Sequence, residues 1–218
     1  MTLRFIASIV LVLAGVAFSQ EHTERMMADS AQQTIDEALV RSRAAIDEFG
    51  VTDSAMSTIQ GILSELAAIP GIKSRGKMKE LHGSPTMGRA LLASENDSGI
   101  CLYVSWFAKD AETPVHDHLT WGVIRVLEGK DKYRHWKRDT DTRSGEIVVN
   151  KTNERIIKAG ESVYWLGPPN DIHSQQSFDV EVWELVMTGR DLSSNYVSKN
   201  QQRFDTKTGR AIPKKSNE

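Results

Sequence analysis

From Arg89 to Thr188 the chain is a succession of short runs rich in Val, Ile, Tyr and Trp. Turn-forming clusters interrupt them, among them Glu128-Gly129-Lys130-Asp131, Asn150-Lys151-Thr152-Asn153 and Gly167-Pro168-Pro169-Asn170. Runs this short are strands rather than helices. The pattern predicts strands at 89–93, 100–107, 112–118, 121–127, 131–137, 146–150, 154–158, 161–166, 172–177 and 180–188. So many short strands at this spacing leave an antiparallel barrel or sandwich as the fold. The basic run Lys132–Arg138, which contains His135, reads as a solvated outer strand.

The segment before this region is helical in pattern. Ser30 with Gln33 resembles a capping box, and Ile35, Leu39, Ile46 and Phe49 follow near helical spacing up to Gly50. A second helix is predicted from Thr52 or Asp53, carrying Met56, Ile59, Leu63, Leu66 and Ile69 to a stop at Pro70-Gly71. The pair reads as a helical hairpin packed outside the β-region, with 71–88 as a connector and 191–218 as a polar extension over the surface. Residues 5–18 are apolar and follow Arg4, and Ala17 and Ser19 suit cleavage after Ser19. That is a secretory signal pattern. The expected division is therefore 1–19 signal peptide, 20–80 helical segment and connector, 81–190 β-barrel and 191–218 extension. The expected location is exported, periplasmic or secreted, with no membrane association after cleavage.

Lys and Arg total 27 against 29 Asp and Glu, a net charge of −2. Without a basic excess to neutralise phosphates, nucleic acid is not an expected partner. The single cysteine, Cys101, excludes an internal disulfide framework and a thiolate metal cluster.

The chemistry concentrates on histidine. His116 and His118 are two apart in a strand-like run, so their side chains share a face. His173 follows the Pro168-Pro169 turn and can close the set from a neighbouring strand. Three neutral imidazoles with open positions describe a catalytic rather than a structural metal site, and first-row metals such as iron, nickel, copper or zinc suit imidazole.

The glycine spacing around these histidines resembles the cupin superfamily. His116-Asp117-His118, three residues, Gly122, six residues and Gly129 follow its first motif, with Gly122 where a carboxylate ligand usually stands. Pro168-Pro169-Asn170-Asp171-Ile172-His173 follows the second, with Asn170 replacing a glycine where positive φ is expected. Loss of the carboxylate with retention of three histidines is similar to the thiol dioxygenases. Thr113-Pro114-Val115-His116-Asp117-His118-Leu119-Thr120-Trp121-Gly122 and Arg203-Phe204-Asp205-Thr206-Lys207-Thr208-Gly209 resemble bacterial members of that group. The resemblance implies a cupin double-stranded β-helix barrel with an N-terminal helical hairpin. It implies Fe(II), or another divalent first-row metal, on His116, His118 and His173. It implies molecular oxygen and a small thiol with a carboxylate as partners, a sulfinate product, and Arg89 as the carboxylate anchor.

The chain also departs from that group. Members carry Ser, His and Tyr alternately on a late strand, where this chain has Glu184, Val186 and Thr188. Glu184 faces the cavity if Val182 and Val186 do, as a metal ligand, a general base or a partner of Arg125. It faces solvent if Trp183, Leu185 and Met187 point inward instead. Gln175 shares a face with His173 and can hydrogen-bond a substrate. Trp121 and Tyr164 are candidates to line the cavity; His22 and His82 are expected to be exposed. An exported metal-binding cupin with another reaction, or with a ligand-binding role alone, is the alternative.

Overall fold

The computed structural model describes residues 3–81, 84–95, 99–141, 144 and 146–213, with side chains from residue 25 onward. His82 lies outside the described residues, as do the side chains of His22 and of the segment around Ser19. The chain divides into two units, 1–37 and 38–218. Helix α1 runs Leu3–Phe49. Ser30 is therefore not a helix start; it lies inside the helix, where its carbonyl accepts from Thr34 Oγ1 at 2.9 Å. Among the described residues no helix is long and apolar enough to cross a membrane.

In the second unit, α1 ends where Gly50 takes a left-handed φ of 66°, a conformation that suits glycine. Helix α2 (Asp53–Leu66) follows, with Ala55, Met56, Ile59, Ile62, Leu63 and Leu66 buried at helical spacing. Each large apolar side chain buried there contributes ~1.5–3 kcal/mol. Arg41 forks onto both oxygens of Glu65, at 2.5 and 2.9 Å, and ties the two helices into a hairpin.

Among the described residues, eleven strands form two antiparallel sheets. One sheet contains β1 (Lys79–Leu81), β2 (Ser84–Ser94), β3 (Cys101–Phe107), β5 (Gly122–Glu128), β8 (Ser162–Trp165) and β10 (Val182–Thr188), in the order β1-β2-β3-β10-β5-β8. The other contains β4 (Val115–His116), β6 (Lys130–Thr140), β7 (Ile147–Lys158), β9 (His173–Ser177) and β11 (Arg203–Phe204), in the order β11-β4-β9-β6-β7. This is the mainly β, double-stranded β-helix expected, with the two sheets curled and the helical hairpin beside them.

Several elements differ from the sequence reading. Strand β6 is not an outer strand: it lies between β9 and β7, and Tyr133 within it is fully buried. The outer strand on that side is β7, bridged at its start by Val148↔Arg210 and lined beyond it by exposed charges. Asn150–Asn153 makes no turn. It lies within β7 at an irregularity opposite His135 and Trp136, where Thr152 has no register partner and its hydroxyl donates to the His135 carbonyl. The expected strand 112–118 reduces to two residues, and the connector 71–88 contributes β1 and the start of β2. The C-terminal extension contains helix α3 (Asn195–Asn200) and then joins the sheet through β11, which pairs with β4 at Arg203↔His116.

Candidate metal centre and cavity

Cross-strand register builds the site as two facing rows. On the second sheet, His116 pairs with His173, and His173 with His135. On the first, Arg89 pairs with Ser105, and Ser105 with Glu184. At ~4.8 Å per strand, Arg89 and Glu184 lie ~10 Å apart at the backbone with Ser105 between them. All three line one cavity of about 60 Å³ with His116, His118, His173 and Gln175. That is room for a ligand of a few heavy atoms.

The loop carrying His118 is held by two buried aspartates. Asp171 accepts from the backbone N–H of His118 at 3.1 Å and of Leu119 at 2.6 Å. Leu119 has a φ of 59°, a strained conformation for a branched residue that needs such anchoring. Asn170 does not adopt the positive φ expected of it; Leu119 does so across the loop. Asp117 pairs with Arg138 at 2.6 Å and accepts from Gln202 N at 2.9 Å.

The three imidazoles bring ligand atoms within 4.8 Å of one another. His118 Nε2 and His173 Nε2 stand 3.2 Å apart. Two nitrogens bound at ~2.1 Å to one ion at near-right angles would be separated by roughly 3.0–3.4 Å. His116 Nδ1 donates to the Pro114 carbonyl at 2.8 Å, which fixes the tautomer and leaves Nε2 with a lone pair. Burial pushes His116 down to about 4 and holds His173 well below the usual histidine range. These rings are therefore neutral and nucleophilic at physiological pH, the state a cation requires. The three imidazoles fit a divalent first-row ion.

Trp165 is the principal residue the sequence reading missed. Its ring stacks on His118 at 4.9 Å and lies 4.5 Å from His173. A Cβ at Gly122 would overlap the edge of that ring, so Trp165 fills the space that a side chain at Gly122 would need. Tyr164, one residue earlier, points the other way and donates to Asp53 on α2. Trp121 packs over Gly189 rather than in the cavity. The phase of β8 was the readable signal, since Val163 and Trp165 alternate with Tyr164.

Glu184 points inward and is fully buried. Arg125 is not its partner: β5 places Ile124 and Val126 toward the core and Arg125 on the opposite face. Gln175 Nε2 instead bridges two carboxyls, at 3.0 Å from both Glu184 oxygens and 3.1 Å from Asp131 Oδ2. Burial, and then each other's proximity, pushes Glu184 well above the carboxylate range; burial pushes Asp131 up to about 7.

A carboxyl whose folded pKa is raised holds a proton that the unfolded chain releases. Its stabilising effect is present below the unfolded value and is lost as pH rises through the folded one. For Asp131 that window runs from 3.8 to about 7. Glu184→Gln removes one of the two titrating carboxyls and keeps an acceptor for Gln175. Its thermal midpoint is expected to exceed wild type at pH 8 by several degrees, at ~2–4 °C per kcal/mol for a chain this size, with a smaller difference at pH 5. A larger gain at pH 5 would overturn this account.

Arg89 lies with its guanidinium 4.7 Å over the Tyr103 ring. Burial lowers its affinity for the proton, partly offset by Tyr103 and Asp191. Among the described residues it makes no ion pair within 4.0 Å. A cation so placed favours an anionic ligand.

Fold and site together define a double-stranded β-helix with a buried three-histidine cavity able to hold a metal. No protein-family model matches the sequence, and no curated protein matches it. Solved structures similar to this chain include an RmlC-like cupin from Shewanella frigidimarina, at 19% identity over 55% of this chain and 88% of that one, TM-score 0.40. KdgF from Halomonas is 12% identical over 53% and 87%, TM-score 0.39. The DMSP lyase DddQ from Ruegeria pomeroyi is 16% identical over 71% and 73%, TM-score 0.41.

Proposed function

We propose that the chain is an exported, metal-dependent oxidoreductase that holds Fe(II) on His116, His118 and His173. In this reading it converts a small carboxylated thiol to a sulfinate, R–SH + O2 → R–SO2H. The observation that carries the reading is the placement of Arg89, an unbridged cation, in the same small cavity as the three imidazoles. The metal would supply a place where sulfur and dioxygen meet and exchange electrons. Arg89 would pair its fork with the substrate carboxylate, so that the thiol end points toward the histidines. Glu184, whose proton affinity burial and Asp131 raise, would present a hydrogen-bond donor when it carries its proton. Trp165 would exclude bulk water from the histidine side.

Glu184 in the place of a neutral Ser also favours a second reading, a metal-binding cupin with a different reaction. Protein purified after export, analysed for metal and reconstituted with Fe(II), separates the two. Oxygen uptake with cysteine or 3-mercaptopropionate, and little with cysteamine, is expected. Arg89→Ala should raise KM for the carboxylated thiols by roughly 10–100-fold, the loss of a charge-assisted hydrogen-bond pair at ~1.5–3 kcal/mol. Bound iron without uptake on any of the three thiols would overturn the dioxygenase reading. An N-terminus at Gln20 in the purified protein would support export; one at Met1 would refute cleavage.

A further inference from the structure

A second site lies outside the β-helix, where α2 crosses the seam between β5, β7 and β8. There Gln60, Gly61 and Ser64 of α2 face Arg125, Arg155 and Ser162 across a groove of about 540 Å³. Both arginines converge on Ser162. Arg125 donates to its hydroxyl at 3.4 Å and Arg155 to its carbonyl at 3.2 Å. Two like charges drawn to one residue repel each other unless an anion lies between them. Neither arginine forms an ion pair within 4.0 Å among the described residues. Arg125 Nε is buried without a hydrogen-bond partner. Glu161 also lines the groove, but its carboxylate accepts from Lys158 N at 2.8 Å.

Gly61 is an independent pointer. Glycine is among the least favourable residues for a helix interior. Yet a Cβ at Gly61 would meet nothing within 4 Å, so no packing neighbour demands its absence. What a side chain there would reduce is the groove itself.

We propose that this groove binds a small organic molecule through a tetrahedral oxyanion, a phosphate or a sulfonate, held between Arg125 and Arg155. A carboxylate offers two coplanar oxygens, which one guanidinium satisfies. Two guanidinium groups approaching from β5 and β7, with the Ser162 hydroxyl, fit a group with three or more outward oxygens. The remaining volume, beside Ile156 and Ile157, takes the organic part.

Calorimetric titration of the full-length, metal-loaded protein at constant ionic strength tests this, with inorganic phosphate, methanesulfonate and acetate as probes. Phosphate or methanesulfonate should bind saturably, and the tighter of the two identifies the headgroup. Arg155→Gln, an exposed position that leaves the core intact, should weaken that binding about tenfold or more, the value of one charge-assisted contact. Gly61→Leu keeps both charges and narrows the groove, and should weaken an organic phosphate more than inorganic phosphate. Absence of saturable binding by either tetrahedral probe would overturn the proposal. So would unchanged affinity in Arg155→Gln, or acetate binding as tightly as phosphate.

Discussion

His116→Ala should fold and yet fail to retain a divalent ion through gel filtration. The imidazole supplies one of three ligand atoms gathered within 4.8 Å, and its tautomer is set in advance by the Pro114 carbonyl. Two imidazoles remain in the variant, at 3.2 Å, but no third side closes the set. Loss of an outer-shell partner costs ~10–100-fold in metal affinity, and loss of a ligand should exceed that. The β4 backbone pairing to β9 and β11 does not depend on the side chain, so far-UV circular dichroism should stay close to wild type. A stoichiometric ion in His116→Ala after gel filtration would refute the assignment of the ligand set.

Gly122→Glu should not create a fourth ligand; it should destabilise the protein and disturb the three that exist. By analogy with the cupin motif the substitution restores a lost carboxylate, and the structure shows why that analogy fails here. The space belongs to the Trp165 ring, whose indole N–H is tied to the Thr120 carbonyl at 2.8 Å. Even Gly122→Ala drives its Cβ into the edge of that ring. Overpacking of this kind costs ~1–3 kcal/mol, or ~2–4 °C of thermal midpoint for each kcal/mol. The displaced ring would push on His118 and His173, so metal affinity should fall together with stability. Gly122→Ala combined with Trp165→Val should lose less stability than the two single variants summed, because the two positions share one volume. Strict additivity in that double variant would show that Trp165 is not what excludes the side chain.

The strands of the β-helix were legible because most are bounded by turn clusters and carry β-branched or aromatic residues at period 2. The histidine triad was legible because spacing of two on a strand has one geometric meaning. The direction of Glu184 was not, since Val182/Val186 and Trp183/Leu185/Met187 are both apolar alternations; the second set is taken up by the outer face of the sheet. Tyr164 was read in the wrong phase for a similar reason, since it and Trp165 are both aromatic on a four-residue strand. Asn150–Asn153 has turn composition but lies on an edge strand, where an irregular, solvated ladder tolerates such residues. The Asp131–Gln175–Glu184 bridge joins residues 44 and 9 positions apart, and local pattern carries no trace of such a contact.

The latch between the C-terminal segment and the metal loop also sets an order of events during biosynthesis. Gln202 reaches back 85 residues to Asp117, and Arg203 pairs with His116 itself. A nascent chain acquires its third imidazole at His173, yet the strand that fixes His116 arrives some thirty residues later. An ion captured before then would meet ligands still free to rearrange. Stable loading of an ion would therefore wait until synthesis has run past Phe204, the residue that completes the pairing of this strand with β4.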